Sequence, residues 1–423
     1  MRATLLELWQ RTRMDWGFVT DRLSTLFRKE KWIGAHDRRF LSETLYGLVR
    51  HLRRIDAAIA RGRALKKPPR DMERLIALFV LEKLITPAQA ARVEREIDWN
   101  AVATIDDVIK AERKLVPRIA LATSLPDWLA TRLVADWGDR AEPLAHALNE
   151  RAPMTVRANL LVGDRDALAK ELALGTRPGK WSDTALIIES RTNLFGLDAF
   201  KRGAMEAQDE GSQLLADLAT AGLENTKPLI IDLCAGAGGK TLAIAGRLQN
   251  RGRIIATDID AKKLEELRRR ARRATVSNAQ ALHLEGGTWP PAFDALQGKA
   301  DVVFVDAPCS GVGALRRNPE ARWRMRESDL ATFAARQRDI LISAARLLAP
   351  GGRLVYGTCT LLSIENQEVV EATLAARPEL APVPLADVVG ERAPALGVDG
   401  VTFTVAPDTH GTDGFFARVL RRQ

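Results

Sequence analysis

Between residues 1 and 145 the apolar positions recur at helical spacing, and no strand-like alternation interrupts them before Met154. Leu41, Leu45, Leu48, Val49 and Leu52 form one such stripe, with Arg39, Arg50, Arg53 and Arg54 in the same stretch, the pattern of a half-buried helix. Lys66-Lys67-Pro68-Pro69 marks a break; the pattern resumes from Asp71 to Leu84, and Pro87 is expected to end it. A further helix is predicted through Trp128, Leu129, Leu133 and Val134.

From Pro153 the texture changes. Thr155 to Leu160 reads as a strand, Asp164 to Leu172 as a helix and Ala185 to Glu189 as another strand, a small mixed α/β module ending near residue 205. Beyond it, strands are predicted at Leu229–Leu233, Arg253–Thr257, Ala281–Leu284, Asp301–Val305 and Arg353–Tyr356. Helices starting near Lys240, Ala261, Asp329 and Ser363 alternate with them. Such alternation means α/β architecture, a mostly parallel sheet covered by helices on both faces. Gly400–Val405 and Gly414–Leu420 read as two closing strands with no helical pattern between them. An antiparallel hairpin ending a parallel sheet is a feature of class I, Rossmann-like methyltransferases. The expected domains are therefore 1–145, 146–205 and 206–423.

Composition narrows the function class. An apolar fraction of 46% with 28% charged residues is ordinary for a soluble globular protein. Apolar runs are strand-sized, too short to cross a bilayer, and charged residues break up the first thirty positions, unlike a signal peptide. Three cysteines without a Cys-x-x-Cys, and only five histidines, argue against a disulfide framework or a zinc site. A cytoplasmic monomer without metal or membrane is expected. The net charge is +9, yet residues 1–70 hold 17 Lys/Arg against 7 Asp/Glu, which leaves the remainder at −1. A basic module on a near-neutral body suits a polyanion, nucleic acid first of all, although a solvated basic face would read the same way.

The chemistry sits at strand ends. Leu229-Ile-Ile-Asp232-Leu-Cys234-Ala235-Gly236-Ala237-Gly238-Gly239-Lys240-Thr241 is a buried strand running into a glycine-rich turn and a helix. Glycines there let a ligand approach the backbone at the C-terminal edge of a parallel sheet. A P-loop would need glycine where Cys234 stands. The next strand ends in Asp258, about 20 residues on, where a carboxylate accepts hydrogen bonds from ribose hydroxyls; its plain alternative is a helix N-cap. The loop is only distantly a dinucleotide fingerprint, and the terminal hairpin favours S-adenosylmethionine over NAD. Asp301-Val-Val-Phe-Val-Asp306-Ala-Pro308-Cys309-Ser-Gly311 delivers a carboxylate and a cysteine from one strand, and Arg353-Leu-Val-Tyr-Gly357-Thr358-Cys359-Thr360 delivers a second cysteine. A lone buried cysteine is usually a small hydrophobe, and for Cys234 that reading wins. Two at strand ends of one sheet are harder to dismiss.

These motifs resemble the Nop/Sun family of RNA cytosine-5 methyltransferases over residues 120 to 423. Similar to the family are the 232–241 loop, Asp306-Ala-Pro-Cys309-Ser-Gly, Gly357-Thr-Cys359-Thr, Arg316-Arg317-Asn318-Pro319-Glu320, Glu365-Asn366 and Thr412-Asp413-Gly414-Phe415-Phe416. Asn149 to Asn159 is similar to the start of its small RNA-recognition segment. Asp37-Arg38-Arg39-Phe40 and Glu43 to Arg50 resemble the NusB-like helical domain of the family's bacterial 16S rRNA members, and so imply that substrate. Ala237 stands where the family has proline, and Glu285 where it has an aspartate near the adenine. The resemblance implies that Cys234 to Lys240, Asp258, Glu285 and Asp306 hold S-adenosylmethionine. It also implies that Cys359 attacks the base while Cys309 assists release.

The reaction explains the residue types. Cytosine C5 is too poor a nucleophile to take a methyl group directly; a thiolate adding to C6 makes C5 an enamine-type carbon that can. Asp306 suits the cytosine N3/N4 edge, and Lys240 the same base. The base must leave its stack to enter such a pocket. Two alternatives stay open: the same chemistry on tRNA, another RNA or DNA, and a non-catalytic RNA-binding assembly factor, against which the cysteine pair argues.

Overall fold

The structure, a computed structural model, describes residues 1–64, 67–223, 225–287, 289, 291–390, 396, 398 and 400–423. Two compact units emerge: Met1–Arg151 with Ala314–Glu327, and Ala152–Gly313 with Ser328–Gln423. Among the described residues no helix is long and apolar enough to cross a membrane.

The first unit is helical among its described residues, and its longest helix, Ala35–Gly62, buries Leu41, Leu45, Leu48 and Val49. The stripe of apolar residues thus faces the core as its spacing requires. Helix Asp71–Leu81 stops well before Pro87, so that proline is not its terminator. Pro87 instead opens the next helix, Pro87–Val93, behind a Thr86 cap that accepts the Gln89 N–H; an imino nitrogen forfeits no bond at a first helical position. Lys66 of the expected break lies outside the described residues. Arginines of the basic stretch are committed within the unit: Arg54 forks onto Asp106, and Arg53 reaches Asp127 and the Leu125 carbonyl; just beyond it, Arg74 forks onto Asp56.

Residues 314–327, expected within 206–423, pack with this helical unit instead. Arg322 is fully buried and donates through Nη1 to the Thr123 carbonyl at 2.7 Å and Asn149 Oδ1 at 2.9 Å. Burial pulls its pKa down to about 9. Trp323 donates from Nε1 to the Val49 carbonyl at 2.8 Å and lies against Trp16, ring centroids 5.7 Å apart.

The second unit holds two sheets. Strands β1 (Met154–Ala158), β2 (Thr176–Pro178), β3 (Ala185–Ile188) and β4 (Met205–Ala207) form an antiparallel sheet in the order β2-β3-β1-β4. β2 and β4 have three residues each, too few to leave a readable alternation. The large sheet comprises β5 (Leu229–Asp232), β6 (Arg253–Asp258), β7 (Ala279–His283), β8 (Ala300–Asp306), β9 (Leu348–Thr358), β10 (Leu380–Pro382), β11 (Thr402–Val405) and β12 (Phe415–Arg422). Its order is β10-β12-β9-β8-β5-β6-β7, with β11 paired to β12. β5 to β9 run parallel, and β12 is antiparallel to β9, β10 and β11. Two apolar cores, one on each face, explain the nearly continuous hydrophobic runs of β5 and β8. A four-residue helix, Pro407–His410, interrupts the closing pair where no helical pattern was expected; a single turn is too short to show a period.

Candidate active site

Strand order decides the site. β5 and β8 are neighbours, as are β8 and β9, so the glycine turn, the Asp306 turn and the Cys359 turn all leave the same C-terminal sheet edge. A cavity of about 1090 Å³ opens there, lined by Cys234 to Ala237, Asp258, Asp306 to Cys309 and Cys359. That is ample for a nucleoside and a second base.

The glycine turn is held rather than floppy. Ala235 N–H donates to the Thr257 carbonyl and Gly238 N–H to the Ala235 carbonyl, both at 2.9 Å. Gly238 has φ +84°, and a Cβ there would sit 2.6 Å from Leu267 Cγ, so only glycine fits. Arg270 donates to the Ala237 carbonyl at 2.7 Å and to Glu206 of β4 at 3.0 Å, tying the small sheet to the outside of the turn. Nothing in the sequence pattern pointed to that link.

Asp258 lines the cavity at the end of β6, accepting the Gly236 N–H at 2.9 Å and the Asp260 N–H at 2.8 Å. The N-cap of the following helix is Asp260, so the capping alternative falls to its neighbour. Gly238, Gly239 and Lys240 are not among the lining residues, and Glu285 is exposed while Leu284, Gly286 and Gly287 form the wall around it. The far wall comes from one stripe of the helix Glu327–Ala344: Thr332, Arg336, Asp339, Ile340 and Ser343. That stripe was not among the expected site residues, although its spacing of three and four is visible in the sequence.

The catalytic candidates converge. Lys240 Nζ donates to Asp306 Oδ2 at 2.6 Å. Burial lowers the Lys240 pKa, but the Asp306 charge and hydrogen bond outweigh it and leave a net upward shift, so this pair is a fixed ammonium–carboxylate. Cys309 Sγ and Cys359 Sγ are 3.4 Å apart, both half-buried. The hydrogen bond to Cys359, then burial, then the Cys359 and Glu365 charges push the Cys309 thiol well above its ordinary range. At neutral pH Cys309 is therefore a thiol. Burial also pushes Cys234 upward, with help from Asp232, and Cys234 packs against the core beneath the sheet. A glycine turn, a carboxylate at the end of β6 and a cavity that both cysteines line are compatible with S-adenosylmethionine as the ligand.

Comparison with known proteins agrees in fold and family. Residues 221–421 match the model described as 16S rRNA methyltransferase RsmB/F, and residues 125–194 match the RsmF/B-like ferredoxin-like domain. The ribosomal RNA small subunit methyltransferase B of Vibrio cholerae is 31% identical, with 93% of this chain and 92% of that protein covered. The probable counterpart in Synechocystis sp. is 29% identical, with 91% of each covered. The crystal structure of the protein PH0851 superposes with a TM-score of 0.78 at 24% identity, covering 99% of this chain and 97% of its own. The fold, the cavity and these relatives together place the chain in the RsmB/F family of S-adenosylmethionine-dependent RNA methyltransferases.

Proposed function

We propose that the chain methylates C5 of a cytosine in RNA, with 16S rRNA as substrate, through a covalent bond between Cys359 and cytosine C6. The observation that carries this reading is the pair of sulfurs 3.4 Å apart in a cavity that also contains Asp258 and the glycine turn. The names of the relatives favour small-subunit rRNA over tRNA.

The bound donor supplies an electrophilic methyl group. Cys359 adds to C6 as a thiolate, the C5=C6 π bond breaks, and its electron pair moves onto C5, which then takes the methyl group. Asp306, held by Lys240, accepts a hydrogen bond from the N4 amino group of the flipped base, and the Lys240 ammonium offsets the negative charge that develops as the sulfur adds. After methyl transfer the C5 proton leaves and the C6–S bond breaks, returning the electron pair to Cys359. Cys309, a thiol, assists that departure. In this reading residues 1–145 with 314–327 form a NusB-like RNA-binding domain, 146–205 an RNA-recognition segment and 206–313 with 328–423 the methyltransferase domain of a monomeric cytoplasmic enzyme.

The test is methyl transfer from labelled donor to 16S rRNA, 30S particles and tRNA, followed by mapping of the product base. Label on cytosine C5 of 16S rRNA supports the proposal. Label on tRNA alone moves the substrate, and no transfer to any RNA leaves the assembly-factor reading.

A further inference from the structure

The two cysteine turns are fastened to each other by groups that the chemistry above does not use. Glu365 is fully buried just beyond β9, with no exposed surface. One of its carboxylate oxygens accepts the Ser310 N–H at 2.8 Å and the Gln337 amide at 3.1 Å, and the other accepts the Ser310 hydroxyl. Gln337, also fully buried, donates to the Pro308 carbonyl at 2.9 Å. Ser310 Oγ lies 2.9 Å from Thr360 Oγ1, and Gly313 N–H donates to the Cys359 carbonyl at 2.9 Å. Cys309 is thus held on both sides, through Pro308 and Ser310, by a single carboxylate on the Cys359 side. A buried carboxylate is costly unless its lone pairs are filled; here three donors fill them, and two of those belong to the residue after Cys309.

We infer that Glu365 is a positioning residue for the release step, fixing the Cys309 thiol against the sulfur of Cys359. The inference rests on the proposed covalent reaction. During release the C5–H bond breaks with its proton passing to water, its electron pair forms the C5–C6 double bond, and the C6–S pair returns to Cys359. The sulfur leaves as a thiolate, and a neutral thiol 3.4 Å away can donate a hydrogen bond to it. Attack and methyl transfer do not need that donor. The Glu365 charge also counts, after the Cys359 hydrogen bond and burial, among the causes that keep Cys309 protonated.

The experiment compares wild type, Glu365→Gln, Ser310→Ala and Cys309→Ala as full-length enzymes on one 16S rRNA transcript, with melting and donor binding checked first. Glu365→Gln should lower multiple-turnover kcat by about 10-fold or more, the scale of one hydrogen bond to a charged group. Single-turnover methyl transfer and KM should change little, and a denaturant-resistant protein–RNA adduct should accumulate. Ser310→Ala, a milder change, should move the same quantities in the same direction. Adding Glu365→Gln to Cys309→Ala should trap no more adduct than Cys309→Ala alone. Equal slowing of transfer and release, or a folded Glu365→Gln enzyme with a wild-type adduct level, would overturn the inference. If Glu365→Gln does not fold, Ser310→Ala decides by the same criteria. If Cys309→Ala itself traps no adduct, it is the covalent reading that fails.

Discussion

Cys309 Sγ lies 3.4 Å from Cys359 Sγ, on turns that leave adjacent parallel strands. With Cys359 as nucleophile, Cys359→Ala should abolish methylation and leave no adduct. Cys309→Ala should permit attack and methyl transfer, then stall at elimination as a slowly migrating band on a denaturing gel. The reverse pattern would swap the roles. The stated assignment rests on the resemblance of Gly357-Thr-Cys359-Thr to the family's nucleophile motif, since the two sulfurs face each other symmetrically.

Asp258 and Gly236 are joined at 2.9 Å, so the carboxylate both shapes the turn and faces the cavity. Asp258→Ala should weaken donor binding by about 10- to 150-fold, the range for one charged hydrogen-bonding group, in a protein that still folds. Calorimetry that finds wild-type affinity would remove Asp258 from the ribose site.

The sequence exposed what repeats along the chain and hid what meets across it. β5, β6, β8 and β9 carry long apolar runs, so their ends, and with them the glycine turn, Asp258, Asp306 and both cysteines, could be placed beforehand. Glu365 could be quoted as a motif residue but not assigned a task, since its partners Ser310 and Gln337 come from two other elements. The Arg270 tie between Glu206 and Ala237 was hidden for the same reason. Residues 314–327 sit in sequence between β8 and β9, and only packing reveals that Arg322 and Trp323 belong with the helices.

That packing changes what a deletion should do. Removing residues 1–145 takes away the Thr123 and Val49 carbonyls that receive Arg322 and Trp323. The remainder should keep its donor site, whose lining residues all lie beyond residue 232. Segment 314–327 should, however, become the preferred site of limited proteolysis, with Arg322 and Arg324 as tryptic targets. In the intact protein the same bonds should resist trypsin. Arg322→Ala should cost on the order of 3 kcal/mol, because it leaves buried acceptors without their donor. Equal cleavage of the deleted and intact forms would mean the segment is held by something else.

Salt should tell whether the basic stretch of residues 1–70 is a phosphate track. Arg53 and Arg54 are already paired with Asp127 and Asp106, so fewer counterions should be released than the charge count suggests. Deletion of 1–145 should still weaken RNA binding and flatten its dependence on salt. Equal slopes for the two forms would make the stretch a solvated face.

Asp232 gives the sharpest expectation for pH. It is fully buried at the end of β5, and Thr241 Oγ1 donates to its Oδ2 at 2.7 Å. Burial raises its pKa from 3.8 to about 7, against the lowering effect of Thr241. A carboxyl whose pKa is raised on folding binds its proton more tightly in the native state. Its favourable contribution is therefore complete below about pH 4 and is lost as pH rises through about 7. The loss has a ceiling on the order of 4 kcal/mol, because each tenfold gain in proton affinity is worth about 1.4 kcal/mol. Asp232→Asn keeps the acceptor for Thr241 and removes the titration. The variant should therefore lose less stability than wild type between pH 4 and 7, and should equal or exceed wild type at pH 8. Urea unfolding at pH 5 and pH 8 measures both differences. If the variant and wild type fall in parallel across that window, Asp232 is ionised throughout and the buried proton is not there.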